Sequence, residues 1–447
     1  MTELTKTLQS IVGAEHARAD GEANRYAVDG VAPATVVFPG SVEEVSAVLA
    51  ACSKVEAAVV PWGGGSSMGL GAVPRKVDVV LGLARLNQVI DHEPGDMTST
   101  VQAGMVLREY QAHLGRHGQF LSLDPPAASR ATIGGVLAAN ASGPRRLRYG
   151  TARDLLIGER VVHADGTVTK GGAKVVKNVT GYDMNKLYVG SLGTLGVIVE
   201  ATFRLYPIPP AERTWVTSFS VADRAREAVA KILDSPLVPS AVELLSASAG
   251  AEVGRQAGIA PTPGGIVLAV AVASIPEAVE AQIKTAREMG KAAGGGNDQV
   301  LEGEAQEKFW AAVRDFNPGG GTTMILKAGV LISEVAEAMR QGEEVAAKQR
   351  LRVSTISEAG TGIVRYYFQT DSTGTDTFKR LAGAVAPLRA FAIEAKGSLV
   401  VLQAPPEVKA EVDVWGPVGD TFAQMRGLKE QFDPGHVLNP GRFVGGL

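Results

Sequence analysis

At 447 residues, the chain is long for a single hydrophobic core, which favours two domains. Its formal net charge of −3, without a long run of one sign, argues against nucleic acid or an anionic membrane surface as the main partner. The single cysteine, Cys52, excludes a disulfide within the chain and a cysteine-ligated iron–sulfur cluster, so we expect a reducing, cytoplasmic setting.

The chain begins with elements that lead into a glycine-rich loop. An amphipathic helix is predicted over residues 2–13, and a short strand follows after a polar linker. Ser41, with Glu44 three residues later, is typical of a helix start. The next strand begins at Val59, so this β-α-β unit delivers the sequence VVPWGGGSSMGLG, residues 59–71, to the end of a strand.

This first glycine block predicts a phosphate site. Glycines can adopt positive φ and leave successive amide N–H groups bare, which is the geometry of a backbone anion nest. A P-loop would need Gly-Lys followed by Ser or Thr, which this stretch lacks. A Rossmann turn would need a helix directly after its glycines, whereas Pro74 and a strand-like VDVVLGL follow here. A flexible Gly/Ser turn is the remaining alternative.

Two further glycine blocks follow within about 140 residues of the first. A helix is predicted over residues 105–117, and then SLDPPAASRATIGGVLAANASG supplies Gly134 and Gly135 beside a short helix turn. A hairpin at VVHADGTVT precedes KNVTGYDMNKLYVGSLGTLG, the third block. Each block alone is weak evidence. Together, each beside a strand, they indicate one extended phosphate-bearing ligand.

The sequence changes character at the proline-rich segment around residue 207. Two related halves follow, each with β-α-β-β-α-β order, which predicts an antiparallel sheet covered by helices on one side. Residues 294–303 are predicted as a loop and residues 306–316 as a linking helix. The tail FDPGHVLNPGRFVGGL fits neither half, so we expect it to return to the first domain.

The three blocks, in this order, resemble the FAD-binding domain of the vanillyl-alcohol oxidase or p-cresol methylhydroxylase-type flavoprotein family. Within that family, GPRRLRYGTARD and NVTGYDMNKLYVGSLGTLG look like segments of the FAD-binding subunits of bacterial glycolate oxidases. The resemblance implies an α+β fold with a two-subdomain FAD-binding domain at residues 1–207. An antiparallel-sheet cap domain with helices on one face follows at 208–404, and residues 405–447 return to the FAD domain.

The resemblance also implies site residues. The diphosphate is held along the first block, at Pro61, Gly63, Gly64, Gly65, Ser66 and Ser67, through the backbone amides that this block supplies. The flavin and ribityl chain lie along Ser129, Thr132, Gly134, Gly135, Asn140, Ser142 and Gly143. Gly193 and Ile198 are expected near the adenine side or ring edge, and Asn439 near the flavin. Covalent relatives carry a histidine directly after the loop glycines, where this chain has Ser66, so we expect non-covalent FAD.

The histidines are placed unusually for a 2-hydroxy acid oxidase. Relatives that oxidise D-lactate or glycolate carry a second-domain histidine cluster that looks like a divalent-metal and catalytic-base site. This chain has six histidines, and none lies between residues 164 and 435. The resemblance therefore implies the FAD-binding subunit of a multi-subunit glycolate (2-hydroxy acid) oxidase. Its expected partners are a histidine-bearing flavin subunit and an iron–sulfur subunit, and we expect membrane association only through them.

Two other functions remain open, namely a self-sufficient FAD-dependent 2-hydroxy acid or alcohol dehydrogenase and a flavin-holding scaffold without turnover. For catalysis the candidates are Arg145, Arg365 and Tyr366. Arg145 begins a cationic cluster beside the second block and could anchor a carboxylate, although a solvated or partner-facing patch fits equally well. Arg365 and Tyr366 lie on an apolar strand, where alternation makes core packing the default for one tyrosine of the Tyr366-Tyr367 pair.

The remaining histidines give weak signals. His113 and His117 are four residues apart on a predicted helix, a spacing that can bind metal. No third ligand lies nearby in sequence, so we expect no metal site. His436 lies in a Pro-Gly turn of the tail and is expected to face solvent.

Overall fold

A computed structural model describes residues 2–174, 182–259, 265–319 and 322–447. The chain forms two compact units: the first contains Met1–Ser142, Gly150–Ile208 and Pro417–Leu447, and the second contains Gly143–Tyr149 and Pro209–Gly416. Residues 143–149 and 405–416 therefore belong to the second unit, whereas the sequence-based division at residues 207 and 404 assigns them to the FAD domain and the tail.

The strands are, in chain order, β1 (Ala17–Ala19), β2 (Thr35–Val37), β3 (Val59–Trp62), β4 (Val79–Gly82), β5 (Val89–Glu93), β6 (Thr98–Gln102), β7 (Gln119–Phe120), β8 (Leu156–Val162), β9 (Val168–Gly172), β10 (Val197–Arg204), β11 (Tyr206–Pro207), β12 (Ala211–Phe219), β13 (Ala241–Leu245), β14 (Ile266–Ser274), β15 (Gly296–Leu301), β16 (Thr322–Gly329), β17 (Arg352–Glu358), β18 (Ile363–Thr370) and β19 (Ser398–Gln403). The helices are α1 (Glu3–Val12), α2 (Val42–Lys54), α3 (Leu107–Gly115), α4 (Ile133–Ala139), α5 (Arg146–Tyr149), α6 (Ala152–Leu155), α7 (Asn185–Tyr188), α8 (Ala222–Leu233), α9 (Ala247–Ala257), α10 (Pro276–Ala292), α11 (Gly303–Arg314), α12 (Val335–Gln349), α13 (Thr375–Glu394), α14 (Pro406–Glu411) and α15 (Phe422–Phe432).

The first unit is built on two sheets. One has the order β1-β2-β4-β3, in which β2 and β3 run parallel to β4. The other is antiparallel and has the order β5-β6-β10-β8-β9. The predicted start of α2 is confirmed, because the Glu44 amide donates to the Ser41 hydroxyl oxygen at 3.1 Å while the Gly40 amide donates to the Glu44 carboxylate at 2.7 Å.

The second unit is organised around one antiparallel sheet with the order β15-β12-β14-β13-β17-β18-β16-β19. β13 pairs with β17 and so joins the two predicted halves. Alternation along β12 divides the helices between the two faces of the sheet. Trp215 faces α10, where a Cβ at Gly290 would lie 2.1 Å from the indole, while its neighbour Val216 belongs to the core formed with α9 and α11. The predicted antiparallel sheet is confirmed, and helices cover both of its faces.

Two elements of this unit differ from the sequence-based expectation. Residues 294–303, predicted as a loop, contain β15, which pairs with β12 at the sheet edge. The glycine and polar residues of β15 do not favour a strand. It forms by pairing with β12, a tertiary interaction that cannot be predicted from its own sequence. Helix α9 was not predicted at all; its start is capped by Ser246, whose hydroxyl accepts from the Ala249 amide. Among the described residues, no helix combines the length and apolar character needed to cross a bilayer.

Candidate functional site

The first glycine block leaves β3 at its carboxyl end. Gly63, Gly64, Gly65 and Ser66 are half-buried, and their amides donate to no acceptor among the residues that the structure describes. Gly65 has a φ of +69°, a conformation that glycine adopts at little cost. Successive amides without partners in such a turn are the donors that an anion needs. The first glycine block therefore has bare amides available for an anion, and its role as a nest stays a prediction.

The second block packs directly against the first. A Cβ on Gly63 would lie 2.1 Å from Thr132 Oγ1, and one on Gly64 would lie 1.5 Å from the Arg130 carbonyl oxygen. Only glycine permits so close an approach of the two segments. Thr132 also caps α4, since its hydroxyl accepts from the Gly135 amide at 3.4 Å. These contacts fix the first glycine block against the start of α4.

The third block reaches the same region through backbone hydrogen bonds. The Gly190 amide donates to the Leu137 carbonyl and the Leu192 amide to the Ala138 carbonyl, both at 2.9 Å. Gly193 has a φ of +68°, and a Cβ there would meet the Pro61 ring at 3.2 Å. The three glycine blocks thus meet within the first unit, as the sequence predicts. Residues 177–181, at the start of the third block, lie outside the described residues.

The tail joins this group through Asn439. Its amide N–H donates to the Val59 carbonyl at 2.9 Å, and its side-chain Nδ2 donates to the Leu192 carbonyl at 2.5 Å. Nearby, Lys429 Nζ donates to the carbonyls of Thr194 and Leu438, each at 2.9 Å, and to Asp433 at 2.6 Å. Lys429 is 1% exposed, so a fully buried ammonium ties the third block to the tail.

The other predicted cofactor residues occupy different surroundings. Ser129 and Asn140 are exposed, Asn140 having a left-handed φ of +44° at the end of α4, whereas Ser142 is buried. Gly134 donates its amide to the Ala103 carbonyl at 2.7 Å. Ile198 is buried in β10 within the hydrophobic core of the first unit. Gly143 opens the segment that belongs to the second unit, and Ser67 accepts from the Leu70 amide at 3.0 Å.

The second unit contains a buried charged cluster. Its side chains come from one face of four neighbouring strands, β13, β17, β18 and β16, and from helix α5. Register places Lys327 directly opposite Arg365, and Glu243 directly opposite Glu358. Arg365 Nη1 lies 2.6 Å from Glu358 Oε1, and Arg146 Nε lies 3.7 Å from Glu358 Oε2. Because like charges facing each other across strands are destabilising, the ion pairs between cations and carboxylates hold this cluster together. We name these five side chains the charged cluster.

Lys327 is the member of the charged cluster whose charge is least compensated by neighbouring carboxylates. Burial and the neighbouring Arg365 and Arg146 lower its pKa below the usual lysine value, while Glu358 opposes the change. The side chains of Arg146 and Glu358 are 26% and 2% exposed. Arg146 and the half-buried Lys327 are therefore the members of the cluster that solvent can reach. Two accessible cations are suited to bind an incoming carboxylate.

The predicted catalytic candidates lie on different faces. Arg365 belongs to the charged cluster. Tyr366, its neighbour in β18, is fully buried, donates its hydroxyl to the Ala338 carbonyl at 3.0 Å and contacts α12 at Gly342. This is the environment of a packing residue, and it is Tyr367 that shares the face of Arg365. Arg145 pairs with Glu212 at 3.2 Å and is not part of the cluster.

Sequence reasoning missed the charged members of this cluster other than the arginines. Lys327 follows the apolar run of residues 324–326 in β16, and a charge in such a strand is a usable signal because it is rarely buried without a partner. Glu358 ends β17, which already contains Arg352, Ser354, Thr355 and Ser357, and therefore gives no such signal. In the first unit it missed His92, whose ring nitrogen, with those of His113 and His117, forms a group of ligand atoms all within 4.8 Å of one another. His436 is exposed in a turn with φ +48°, as expected.

Comparison with known proteins identifies two family domains and full-length relatives. Residues 33–172 match the FAD binding domain family model, and residues 208–401 match the model of the C-terminal domain of FAD linked oxidases. The chain is 30% identical over 420 residues to the glycolate oxidase subunit GlcD of Bacillus subtilis, covering 92% of this chain and 89% of the relative. It is 30% identical over 418 residues to the D-lactate dehydrogenase of Archaeoglobus fulgidus, covering 92% and 91%.

Solved structures show the same fold. The structure of p-cresol methylhydroxylase with substrate bound covers 98% of this chain and 96% of its own, with a TM-score of 0.76 and 18% identity. An alkyldihydroxyacetonephosphate synthase structure also has a TM-score of 0.76, covering 99% of this chain and 86% of its own at 18% identity. At this level of identity the likeness concerns the fold alone.

Proposed function

Because the chain belongs to the FAD-linked oxidase family, with both its FAD-binding and C-terminal domains, and is an FAD-dependent oxidoreductase, we propose that it is the FAD-binding subunit of a multi-subunit glycolate (2-hydroxy acid) oxidase. FAD supplies two-electron oxidation chemistry when bound. In this proposal a histidine-bearing flavin subunit activates the substrate hydroxyl, and an iron–sulfur subunit receives the electrons. The relatives named as glycolate oxidase subunits support the assignment.

The residues of the first unit fit the cofactor. The bare amides of Gly63 to Ser66 can donate hydrogen bonds to the diphosphate oxygens without any charged side chain. Ser66 follows the glycines, at the position where covalent relatives have a histidine. Because serine has no imidazole to which FAD could attach, we propose non-covalent FAD. Gly193 and Asn439, which contact Pro61 and Leu192, and the start of α4, which contacts the first glycine block, would orient the remaining parts of the cofactor.

The observation that carries the subunit assignment is the composition of the charged cluster. Residues 164–435 contain no histidine, and at the centre of the second unit's sheet stands the Arg365–Glu358 ion pair. A guanidinium paired at 2.6 Å holds its protons and cannot remove one from a hydroxyl. This chain therefore offers carboxylate-binding cations without imidazole, which fits a subunit that depends on a partner for proton removal.

One specific observation favours a second candidate, a self-sufficient 2-hydroxy acid dehydrogenase. A lysine whose pKa is lowered by burial and neighbouring cations is a usable proton acceptor. In that case Arg146 would bind the substrate carboxylate, and Lys327 would take the hydroxyl proton. Replacement of Lys327 by Met would then abolish reduction of the bound flavin, whereas Lys327→Arg, which keeps the positive charge but holds its proton, would retain substrate binding only.

Anaerobic mixing of the FAD-loaded chain with glycolate or D-lactate separates the two candidates. The subunit proposal predicts that the oxidised flavin absorbance persists in the chain alone and is lost when the histidine-bearing partner is added. Bleaching by either substrate without partners, at a rate that Lys327→Met removes, would overturn it in favour of the self-sufficient enzyme. Affinity purification from the native host, followed by identification of a cysteine-rich and a histidine-bearing flavin subunit, tests the assembly itself.

A further inference from the structure

Three histidines of the first unit converge outside the cofactor region described above. His92 lies on the edge strand β5, His113 lies in the last turn of α3, and His117 lies in the turn two residues beyond the end of that helix. Their ring centroids are 5.4 Å apart for His92 and His113, 4.8 Å for His92 and His117, and 6.0 Å for His113 and His117. Neither the proposed function nor the family domains give this group a role.

A glutamine fixes which nitrogen of His92 is free. Gln119 Nε2 donates to the Pro94 carbonyl at 2.6 Å, which leaves the Gln119 carbonyl oxygen facing His92. His92 Nε2 lies 2.9 Å from that oxygen and must therefore carry the proton. Nδ1 is then the unprotonated nitrogen. It is buried and has no hydrogen-bond partner among the described residues.

His113 presents a second nitrogen in the same situation. Its Nε2 is buried and has no hydrogen-bond partner among the residues that the structure describes. Leaving buried polar atoms unsatisfied costs about 1–3 kcal/mol each, so packing of three rings is a poor explanation for this arrangement. An imidazole held by a hydrogen bond from its other nitrogen to an amide or carboxylate oxygen is the common arrangement around protein metal ions.

We propose that His92 Nδ1, His113 Nε2 and one ring nitrogen of His117 bind a divalent transition-metal ion of the zinc class, with water as the remaining ligand. Imidazole nitrogens select such ions over Mg²⁺ and Ca²⁺, which prefer oxygen. In a tetrahedral zinc shell the nitrogens lie about 3.4 Å apart. The ligand atoms of the three side chains lie within 4.8 Å of one another, so metal binding requires the rings to move closer, and the exposed His117 has room to rotate.

The ion would tie an edge strand to a helix. β5 pairs only with β6 in the sheet order of the described residues, so its outer side has no strand partner. Coordination from α3 would fasten that edge to the body of the unit. Arg116, between His113 and His117 in sequence, places a positive charge nearby. This charge opposes metal binding, so we expect moderate affinity.

The test uses the FAD-loaded full chain, stripped of metal with a chelator and dialysed. Titration with ZnCl₂ in a calorimeter should give one saturable site, and Zn²⁺ should raise the melting temperature of the wild-type protein. MgCl₂ should do neither. His117→Ala, an exposed change that leaves the fold intact, should abolish both effects. Gln119→Met should weaken zinc binding by about 10–100-fold.

The matched control is His16→Gln, which removes a histidine of the same unit that lies beside Glu15 and away from the group. It should keep zinc affinity and the thermal shift unchanged, and all variants should keep their flavin. The proposal is overturned if the wild-type protein shows no saturable zinc binding, or if His117→Ala and the double variant His92→Gln/His113→Gln bind zinc as the wild-type protein does. Neither result bears on the proposed oxidase function, which depends on other residues.

Discussion

Replacing Gly64 by alanine tests the cofactor site at the point where two glycine-rich segments touch. A Cβ at this position would lie 1.5 Å from the Arg130 carbonyl oxygen, whereas ordinary contacts begin at 3.4 Å. The two segments must therefore separate by roughly 2 Å, and overpacking of this kind costs about 1–3 kcal/mol. The added Cβ would clash with the backbone of Arg130 and not with the diphosphate. The expected loss of FAD binding is therefore an indirect effect of moving the loop.

Displacement of the loop carries the amides of Gly64 and Gly65 away from the anion. A hydrogen bond to a charged group contributes about 1.5–3 kcal/mol. Loss of two such bonds lowers the binding free energy by about 3–6 kcal/mol, which weakens FAD binding by about 10²–10⁴-fold. We therefore expect Gly64→Ala to purify without flavin and to bind added FAD far more weakly than the wild-type protein.

Fluorescence titration of the apoprotein with FAD measures the dissociation constant directly. Gly427→Ala is the matched control, since this glycine lies inside α15 of the same unit and a Cβ there would meet nothing within 4 Å. Alanine inside a helix is favoured over glycine by about 0.5–1 kcal/mol, so the control should keep its FAD and melt slightly higher. A Gly64→Ala protein that binds FAD within a few-fold of wild type would refute the placement of the loop.

Three further changes probe the buried charges. Glu358→Gln removes the carboxylate charge that pairs with Arg365 at 2.6 Å and should lower the free energy of unfolding by about 3–5 kcal/mol in denaturant titrations; an unchanged midpoint would contradict the importance of the ion pair. Lys429→Met strands the buried Asp433 carboxylate and should destabilise by a similar amount, with loss of flavin, while retention of both stability and colour would remove its role as a tie. Burial raises the pKa of Glu159 to about 9, so the folded protein keeps this group protonated while the unfolded chain ionises above 4.5. The free energy of unfolding of the wild-type protein should therefore fall as pH rises from about 5 to 9. That of Glu159→Gln should fall less, so that the variant is more stable than the wild type near pH 8 by about 3–5 kcal/mol. Parallel pH profiles of the two proteins would count against the buried acid.

The sequence predicts local features of the first unit well, because their causes are local. A glycine run after a strand, the Ser41 cap and the Asp165-Gly166 turn of the β8–β9 hairpin each follow from the conformational preferences of a few neighbouring residues. The meeting of the three blocks follows from their repetition, each beside a strand, within one stretch of the chain. The contact that makes Gly64 indispensable could not be predicted, because the carbonyl oxygen that it meets lies 66 positions further along the chain, at Arg130.

The parts that sequence reasoning missed depend on tertiary proximity. His92 is 21 positions from His113 in sequence, and only the packing of α3 beside β5 brings the two imidazoles together. Glu243 and Glu358 become neighbours through the pairing of β13 with β17. Strand β15 is hidden for the same reason, since its polar sequence forms a strand by pairing with β12. Lys327 is different: a charge within an apolar strand can be recognised from the sequence alone, so this residue could have been predicted.

Acid precipitation of the purified chain after reconstitution with FAD tests the central claim most directly. The account predicts that one FAD per chain is recovered in the supernatant and that the precipitated protein is colourless, since unpaired backbone amides hold the cofactor without a covalent bond. A chain that takes up no FAD, or a flavin that stays with the precipitate, would contradict it.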